Sequence, residues 1–176
     1  MKVAYQGVPG AFGHEACLRF LPEHEPVACP TFDEVVTAVE AAETDLGMLP
    51  LCNSGAGETG ARALIEQARV RIVDQPVLSV RMHLLGLPGT TLEQIRTVLS
   101  HPVALRQCAG TLDALGLKTE EAPNSAIAAA ELRDPHCAVL ASEAAARLYG
   151  LAILKRDVHD RPDNSTRFAV LAREGA

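Results

Sequence analysis

Near the end of the chain, Asn164-Ser165-Thr166-Arg167-Phe168 sets a hydroxyl beside a guanidinium. A polar turn, Asp160-Arg161-Pro162-Asp163, gives way there to an apolar run, Phe168-Ala169-Val170-Leu171. Function commonly sits at such junctions, because a sheet holds backbone that a ligand can still reach. A threonine hydroxyl does not titrate near neutrality, so Thr166 is a poor free acid. It can still donate a hydrogen bond to an oxygen on which negative charge develops, and relay a proton from elsewhere. Arg167 can bind a carboxylate or close a structural ion pair, and a guanidinium suits either. Neighbours in a regular strand point to opposite faces, so the two share a ligand only if the strand starts irregularly. Taken alone, the five residues read as a capped turn with a surface arginine; the rest of the chain changes that reading.

A second set of candidates follows strand ends. Asn53-Ser54, Ser100, Asn124-Ser125 and Ser142 each stand after a short apolar run and before a helical segment. Ligands in open α/β sheets lie beyond the carboxyl ends of strands. Helix N-termini there offer unpaired N–H groups and partial positive charge. Each position alone is an ordinary N-cap, but the set points to an anion site fit for a carboxylate-bearing metabolite. The turn Gly7-Val8-Pro9-Gly10-Ala11 lies between a strand and a helix. Its Gly-x-x-Gly spacing is not the dinucleotide-binding Gly-x-Gly-x-x-Gly, and no acid ends the second strand, so that reading is rejected. Its backbone N–H groups can still meet an anion. The six histidines show no ligand spacing, so a metal site is not expected. Cys52 with His83 or His101 carries no local signature of a thiol nucleophile, and both histidines read as structural.

These residues need elements to hold them. Short apolar runs read as strands over 2–6, 25–29, 45–51, 70–73, 77–80, 82–87, 98–99, 117–121, 137–141 and 151–155. Between them lie helical patterns over 12–21, 58–68 and 126–133, and one running from His101-Pro102 through Gln107 to about Leu115. Thr31-Phe32-Asp33-Glu34 has the form of a capping box, opening a helix to about Glu43 with Phe32, Val35, Val36 and Val39 on one face. Ser142 caps a helix to Tyr149 that Gly150 closes. The alternation predicts an α/β fold with mainly parallel strands. Residues 80–156 look like a complete α/β unit inserted in another, giving two lobes with a cleft between them. Lobe 1 is expected over about 1–79 plus 160–176, and lobe 2 over about 80–159.

Composition narrows the partners. At 176 residues the chain is one ordinary domain or two small lobes, and 48% hydrophobic content supplies a sizeable core. A net charge of −6, mixed in sign, with no basic run and few aromatics, argues against nucleic acid but not against a small anion in a locally positive pocket. Five widely spaced cysteines without a Cys-x-x-Cys read as reduced thiols in a cytoplasmic protein. A strand already begins at Lys2, so no signal peptide is expected, and no apolar run approaches the roughly 20 residues that cross a membrane. A homodimer is compatible with all of this.

Several segments together resemble the catalytic domain of the prephenate dehydratase family. They are Gln6-Gly7-Val8-Pro9-Gly10-Ala11, Leu49-Pro50-Leu51-Cys52-Asn53-Ser54, and Ser100-His101-Pro102 with Ala104-Leu105 and Gln107-Cys108. To these add Ala141-Ser142-Glu143-Ala144-Ala145 with Tyr149-Gly150-Leu151, and Asn164-Ser165-Thr166-Arg167-Phe168. They span nearly the whole chain in the family's order. The resemblance implies a two-lobed α/β fold similar to type II periplasmic binding proteins. It also implies a lyase reaction of phenylalanine biosynthesis, on the shikimate/chorismate route, that needs no cofactor. Prephenate, a dianion, loses carbon dioxide and its ring hydroxyl to give phenylpyruvate, driven by aromatisation. By the same resemblance Thr166 is the catalytic residue, and Asn53, Ser100 and Gln107 are site positions. With the strand-end set, the expected substrate-binding residues are Asn53, Ser54, Ser100, Gln107, Ser125 and Arg167.

This sequence departs from the family pattern in three places. Cys52 stands where Glu is usual before Asn-Ser, and Ala56-Gly57 where Glu-Gly is usual. Losing two carboxylates makes a site less repulsive to a dianion but removes possible proton sources. The regulatory ACT domain that normally follows is expected to be absent after Ala176, and feedback inhibition with it. A prephenate decarboxylase that keeps the ring hydroxyl, or a catalytically silent anion-binding module, are the alternatives; the former family usually lacks the matching Thr.

Overall fold

A computed structural model describes residues 1–175. The chain divides into two compact units. The first holds Met1–Val8, Phe12–Ser79 and Ser165–Ala176; the second holds Pro9–Ala11 and Val80–Asn164. Residues 160–164, expected with the first lobe, belong to the second unit because Asp160 and Asn164 bond to Gln107 there.

The first unit is built on β1 (Lys2–Gln6), α1 (Phe12–Phe20), β2 (Glu25–Cys29), α2 (Phe32–Glu40), β3 (Leu46–Asn53), β4 (Gly57–Glu58), α3 (Ala61–Gln67), β5 (Val70–Asp74) and β6 (Val77–Ser79). The second contains β7 (His83–Gly86), β8 (Thr97–Ser100), α4 (Pro102–Gln107), α5 (Ala109–Ala114), β9 (Lys118–Glu121), α6 (Ser125–Glu131), β10 (Cys137–Ala141), α7 (Glu143–Tyr149) and β11 (Ala152–Lys155). The chain then returns to the first unit as β12 (Ser165–Arg173). The sheet of the first unit runs β2-β1-β3-β12-β5, with β4 on β3 and β6 on β12. The second sheet runs β11-β7-β10-β8-β9. Both are mixed rather than mainly parallel. β1 pairs parallel with β2 and β3, as β8 does with β9 and β10. The returning β12 runs antiparallel to β3 and β5, and β7 runs antiparallel to both β10 and β11.

Local chemistry sets the helices. The Thr31 hydroxyl oxygen accepts the Glu34 N–H at 3.2 Å and caps α2. The Glu34 carboxylate accepts the proton of that hydroxyl rather than the Thr31 N–H, so only half of the expected box forms. The helix ends at Glu40, short of Glu43. Ala42 takes a left-handed φ of +58°, and Glu43 and Thr44 turn their N–H groups back to the Ala38 carbonyl. The apolar face of α2, Val35, Val36 and Val39, is buried on the sheet. Each such side chain contributes about 1.5–3 kcal/mol by leaving water. Gly47 permits that approach, since a Cβ there would lie 3.0 Å from Val39 and 3.1 Å from Val35. The helix expected to start near Glu58 begins instead at Ala61, because Gly57–Glu58 pairs with Cys52–Asn53.

In the second unit the expected helix to Leu115 is broken at Cys108, where ψ is 5°. α6 carries the Asn124 cap, whose Oδ1 accepts the N–H groups of Ala126 and Ile127. The turn Pro9–Ala11 packs on α7: the Ser142 hydroxyl donates to the Gly10 carbonyl and the Tyr149 hydroxyl to the Pro9 carbonyl. Gly10 has φ +89°, and a Cβ there would lie 3.0 Å from the Tyr149 ring and 3.3 Å from Ala145 Cα. Only glycine fits both demands. Among the described residues no helix is long and apolar enough to cross a membrane, and all five cysteines are unpaired thiols.

Candidate active site

In the first unit the carboxyl end of β3 meets the start of β12, with Thr166 opposite Asn53 and Arg167 opposite Cys52. Asn53 is anchored through its side-chain oxygen, which accepts the N–H groups of Gly55 and Ala56, both at 2.9 Å. That fixes the amide so that its nitrogen donates, to Thr166 Oγ1 at 2.9 Å and to the Ser165 carbonyl at 3.1 Å. Thr166 is 8% exposed, and its hydroxyl, accepting from Asn53, has its own proton to give. Ser54 brackets the strand start: its N–H donates to the Ser165 carbonyl and its hydroxyl oxygen accepts the Ser165 N–H.

Arg167 does not share the face of Thr166. Buried Thr166, exposed Arg167 and buried Phe168 alternate as a regular strand requires, and the ladder's irregularity falls only after Arg167. Among the described residues Arg167 closes no ion pair, so the structural partner considered for it is also missing.

In the second unit β8, β9 and β10 run parallel, and α4, α6 and α7 begin just beyond their carboxyl ends. Ser100 Oγ lies 2.7 Å from Ser125 Oγ and donates to the Leu140 carbonyl at 3.0 Å. A carbonyl only accepts, so Ser125 is the donor between the two hydroxyls. Ser125 Oγ also accepts the His101 N–H at 3.3 Å. Ser100, expected to touch a ligand, has no exposed surface. Its hydroxyl is engaged inside the fold, and it orients Ser125, which stays partly exposed. Gln107 ends α4 and is held by other neighbours: its Oε1 accepts from Asn164 Nδ2 at 3.2 Å.

His83 and His101 each accept a backbone N–H within the fold. His101 caps α4, its Nδ1 accepting the Val103 N–H. His83 is buried and its Nδ1 accepts the Asp157 N–H at 3.0 Å. Burial pushes the His83 pKa below its ordinary value, against the opposing pull of the Asp157 carboxylate. A histidine whose folded pKa is lowered stabilises the fold fully above its unfolded value of about 6.5, and that contribution is lost as pH falls toward the folded value. Denaturant midpoints taken from pH 7.5 down to 5.5 should therefore decline more steeply for this chain than for His83→Asn, which keeps an acceptor but does not titrate. Equal slopes would remove His83 from the acid response.

The fold is of the periplasmic-binding-protein-like α/β class. It overlays an ABC transporter periplasmic substrate-binding protein from Coxiella burnetii with a TM-score of 0.53 at 15% identity, over 99% of this chain and 85% of that one. Within that class, residues 3–176 match the family described as prephenate dehydratase, and the chain belongs to that family. A curated relative, arogenate dehydratase/prephenate dehydratase 2 (chloroplastic) of Arabidopsis thaliana, is 42% identical over 178 residues, covering 99% of this chain and 47% of that protein. The chain thus spans about half the length of such relatives. Among solved structures, GqqA, described as a novel type of quorum quenching acylase, matches with a TM-score of 0.92 at 37% identity, over 100% of this chain and 65% of that one.

Two residues near the site were not singled out by sequence reasoning. Asn164 was read only as the first residue of the 164–168 stretch and Asp160 as the first of the turn before it, with no partner expected for either, yet both bond to Gln107 or the helix after it. No local signal marks them, since their partners lie about fifty residues away in sequence.

Proposed function

We propose that the chain catalyses the decarboxylating dehydration of prephenate to phenylpyruvate. The bond from ring carbon to carboxylate breaks and its electron pair enters the ring. Hydroxide departs from the opposite ring carbon and takes up one proton, giving carbon dioxide, water and an aromatic product. The observation that carries this reading is the Asn53–Thr166 bond. Asn53 can only donate to the Thr166 oxygen, so the hydroxyl proton is directed elsewhere, where it can stabilise the departing oxygen. In the first unit Asn53 and Ser54, beside Thr166, are assigned to the substrate's polar groups; in the second, Gln107 is a candidate through the family resemblance alone, and Ser125, oriented by Ser100, through its place after a strand end. No cofactor or metal is needed for this chemistry, because aromatisation drives it. Five unpaired thiols, with Cys17 and Cys108 held by burial at about 12, suit a reducing compartment such as the cytoplasm.

The test is product identification. Purified chain incubated with prephenate should yield phenylpyruvate well above the spontaneous rate. A parallel incubation with arogenate, named in the plant relative, would yield phenylalanine, and the faster of the two reactions identifies the preferred substrate. A non-aromatic dihydro product would make the chain a decarboxylase, and no acceleration with either substrate would make it a binding module.

A further inference from the structure

β3 carries a proline at position 50 although it lies inside its sheet, between β1 and β12. Proline brings no N–H to a ladder, and interior strands accept it mainly at bulges. The ladder with β12 is irregular at that point. Arg167 stands opposite Cys52 but Phe168 stands opposite Pro50, so Leu51 is an extra residue on β3. Side chains alternate along a strand, so one extra residue changes the face that every later residue shows. Without it, the register running up from Pro50 would set Cys52 opposite Thr166 and Asn53 opposite Ser165. Asn53 would then lie on the face away from the Thr166 hydroxyl. We propose that Thr59 is a positioning residue that holds this bulge and so keeps Asn53 on the face of Thr166.

The bonds converge on that one residue. β4 folds back on β3, with Gly57 opposite Asn53 and Glu58 opposite Cys52. One residue further, the Thr59 N–H donates to the Leu51 carbonyl at 3.0 Å. The Thr59 hydroxyl donates to the Pro50 carbonyl, with the Leu51 carbonyl 3.1 Å away. A bulge takes its extra residue out of the ladder, so backbone groups there need partners from elsewhere. Thr59 supplies donors for two successive carbonyls. Its oxygen also accepts the Ala61 N–H at 3.3 Å, which ties the bulge to the first turn of α3. From the inside, Leu51 is fully buried in the core that holds Ala61 and Ile65. The extra residue is thus fixed at its side chain by packing and at its carbonyl by Thr59. Two residues on, the Asn53 amide reaches Thr166 Oγ1 at 2.9 Å. The catalytic consequence rests on the dehydratase reading above, in which that bond directs the hydroxyl proton.

Thr59→Val tests this. The residue is exposed and the change nearly isosteric, so the chain should stay folded. With the hydroxyl gone, kcat for prephenate should fall about tenfold, and Thr59→Ser, which restores the donor, should return it to within about twofold of the parent. In a Thr166→Ala background Thr59→Val should change kcat by less than about twofold, because a residue acting through the Asn53–Thr166 bond has nothing left to act on. The side-chain amide resonances of isotope-labelled Asn53 should move in Thr59→Val protein without any substrate, and stay in place in Thr59→Ser. Where Thr59→Val does not fold, Thr59→Ala removes the same donor and takes its place in each comparison. A merely structural role would lower the denaturant midpoint and leave kcat of the folded protein alone. Unchanged kcat with unmoved resonances, a Thr59→Ser chain as impaired as Thr59→Val, or a full effect persisting in Thr166→Ala overturns the proposal. If the parent chain leaves prephenate unchanged, the dehydratase reading fails, and the Asn53 resonances alone decide whether Thr59 holds the bulge.

Discussion

Thr166→Ala should lower kcat for prephenate about 100- to 1000-fold while KM stays within a few fold. That is the size expected when one preorganised donor to a developing oxyanion is removed. In the proposed reaction the hydroxyl matters only as charge builds on the departing oxygen, so its loss should fall on kcat rather than on substrate binding. Thr166→Ser, which keeps the hydroxyl but lets it rotate more readily, should recover much of the rate. The fold should survive either change, since a threonine methyl in a strand paired on both sides contributes little. Steady-state kinetics of the purified variants settle it, and a Thr166→Ala chain with near-normal kcat would take this residue out of the reaction.

Asn53→Asp should cost almost as much, about 100-fold in kcat, despite being nearly isosteric. One aspartate oxygen can still accept the Gly55 and Ala56 N–H groups that Asn53 Oδ1 now holds, so the loop keeps its shape. The other oxygen replaces the amide nitrogen 2.9 Å from Thr166 Oγ1 and becomes an acceptor for the threonine proton. The proton meant for the leaving oxygen is then drawn away from it, and a fresh negative charge faces a dianionic substrate. Thermal melting should stay close to that of the parent chain while activity collapses. Retained activity would mean that the direction of the Asn53–Thr166 bond is irrelevant.

The parts of this fold that were legible in the sequence are those set by near neighbours. The Thr31 cap, the Gly150 stop and the apolar face of α2 follow from residues within a turn or two. The pairing of Thr166 with Asn53 could be expected only from the family resemblance, because the two lie 113 residues apart. What could not be read was set by distant partners. Asp160 cuts a helix fifty residues earlier, and Ser100 turns inward to Leu140. In each case a local pattern was sound and a tertiary bond overrode it. The antiparallel return of β12 was hidden for a similar reason, since strand periodicity does not carry direction.

The place of β12 has a consequence for how the protein is made. It lies between β3 and β5, in the interior of its sheet, yet it leaves the ribosome after every other strand of that sheet. Until then β3 and β5 each present an open edge, and nascent chains with such edges invite association with one another. Closure of the sheet and arrival of the Thr166 hydroxyl are therefore one event, because the strand that seals the open edges is the strand that carries it.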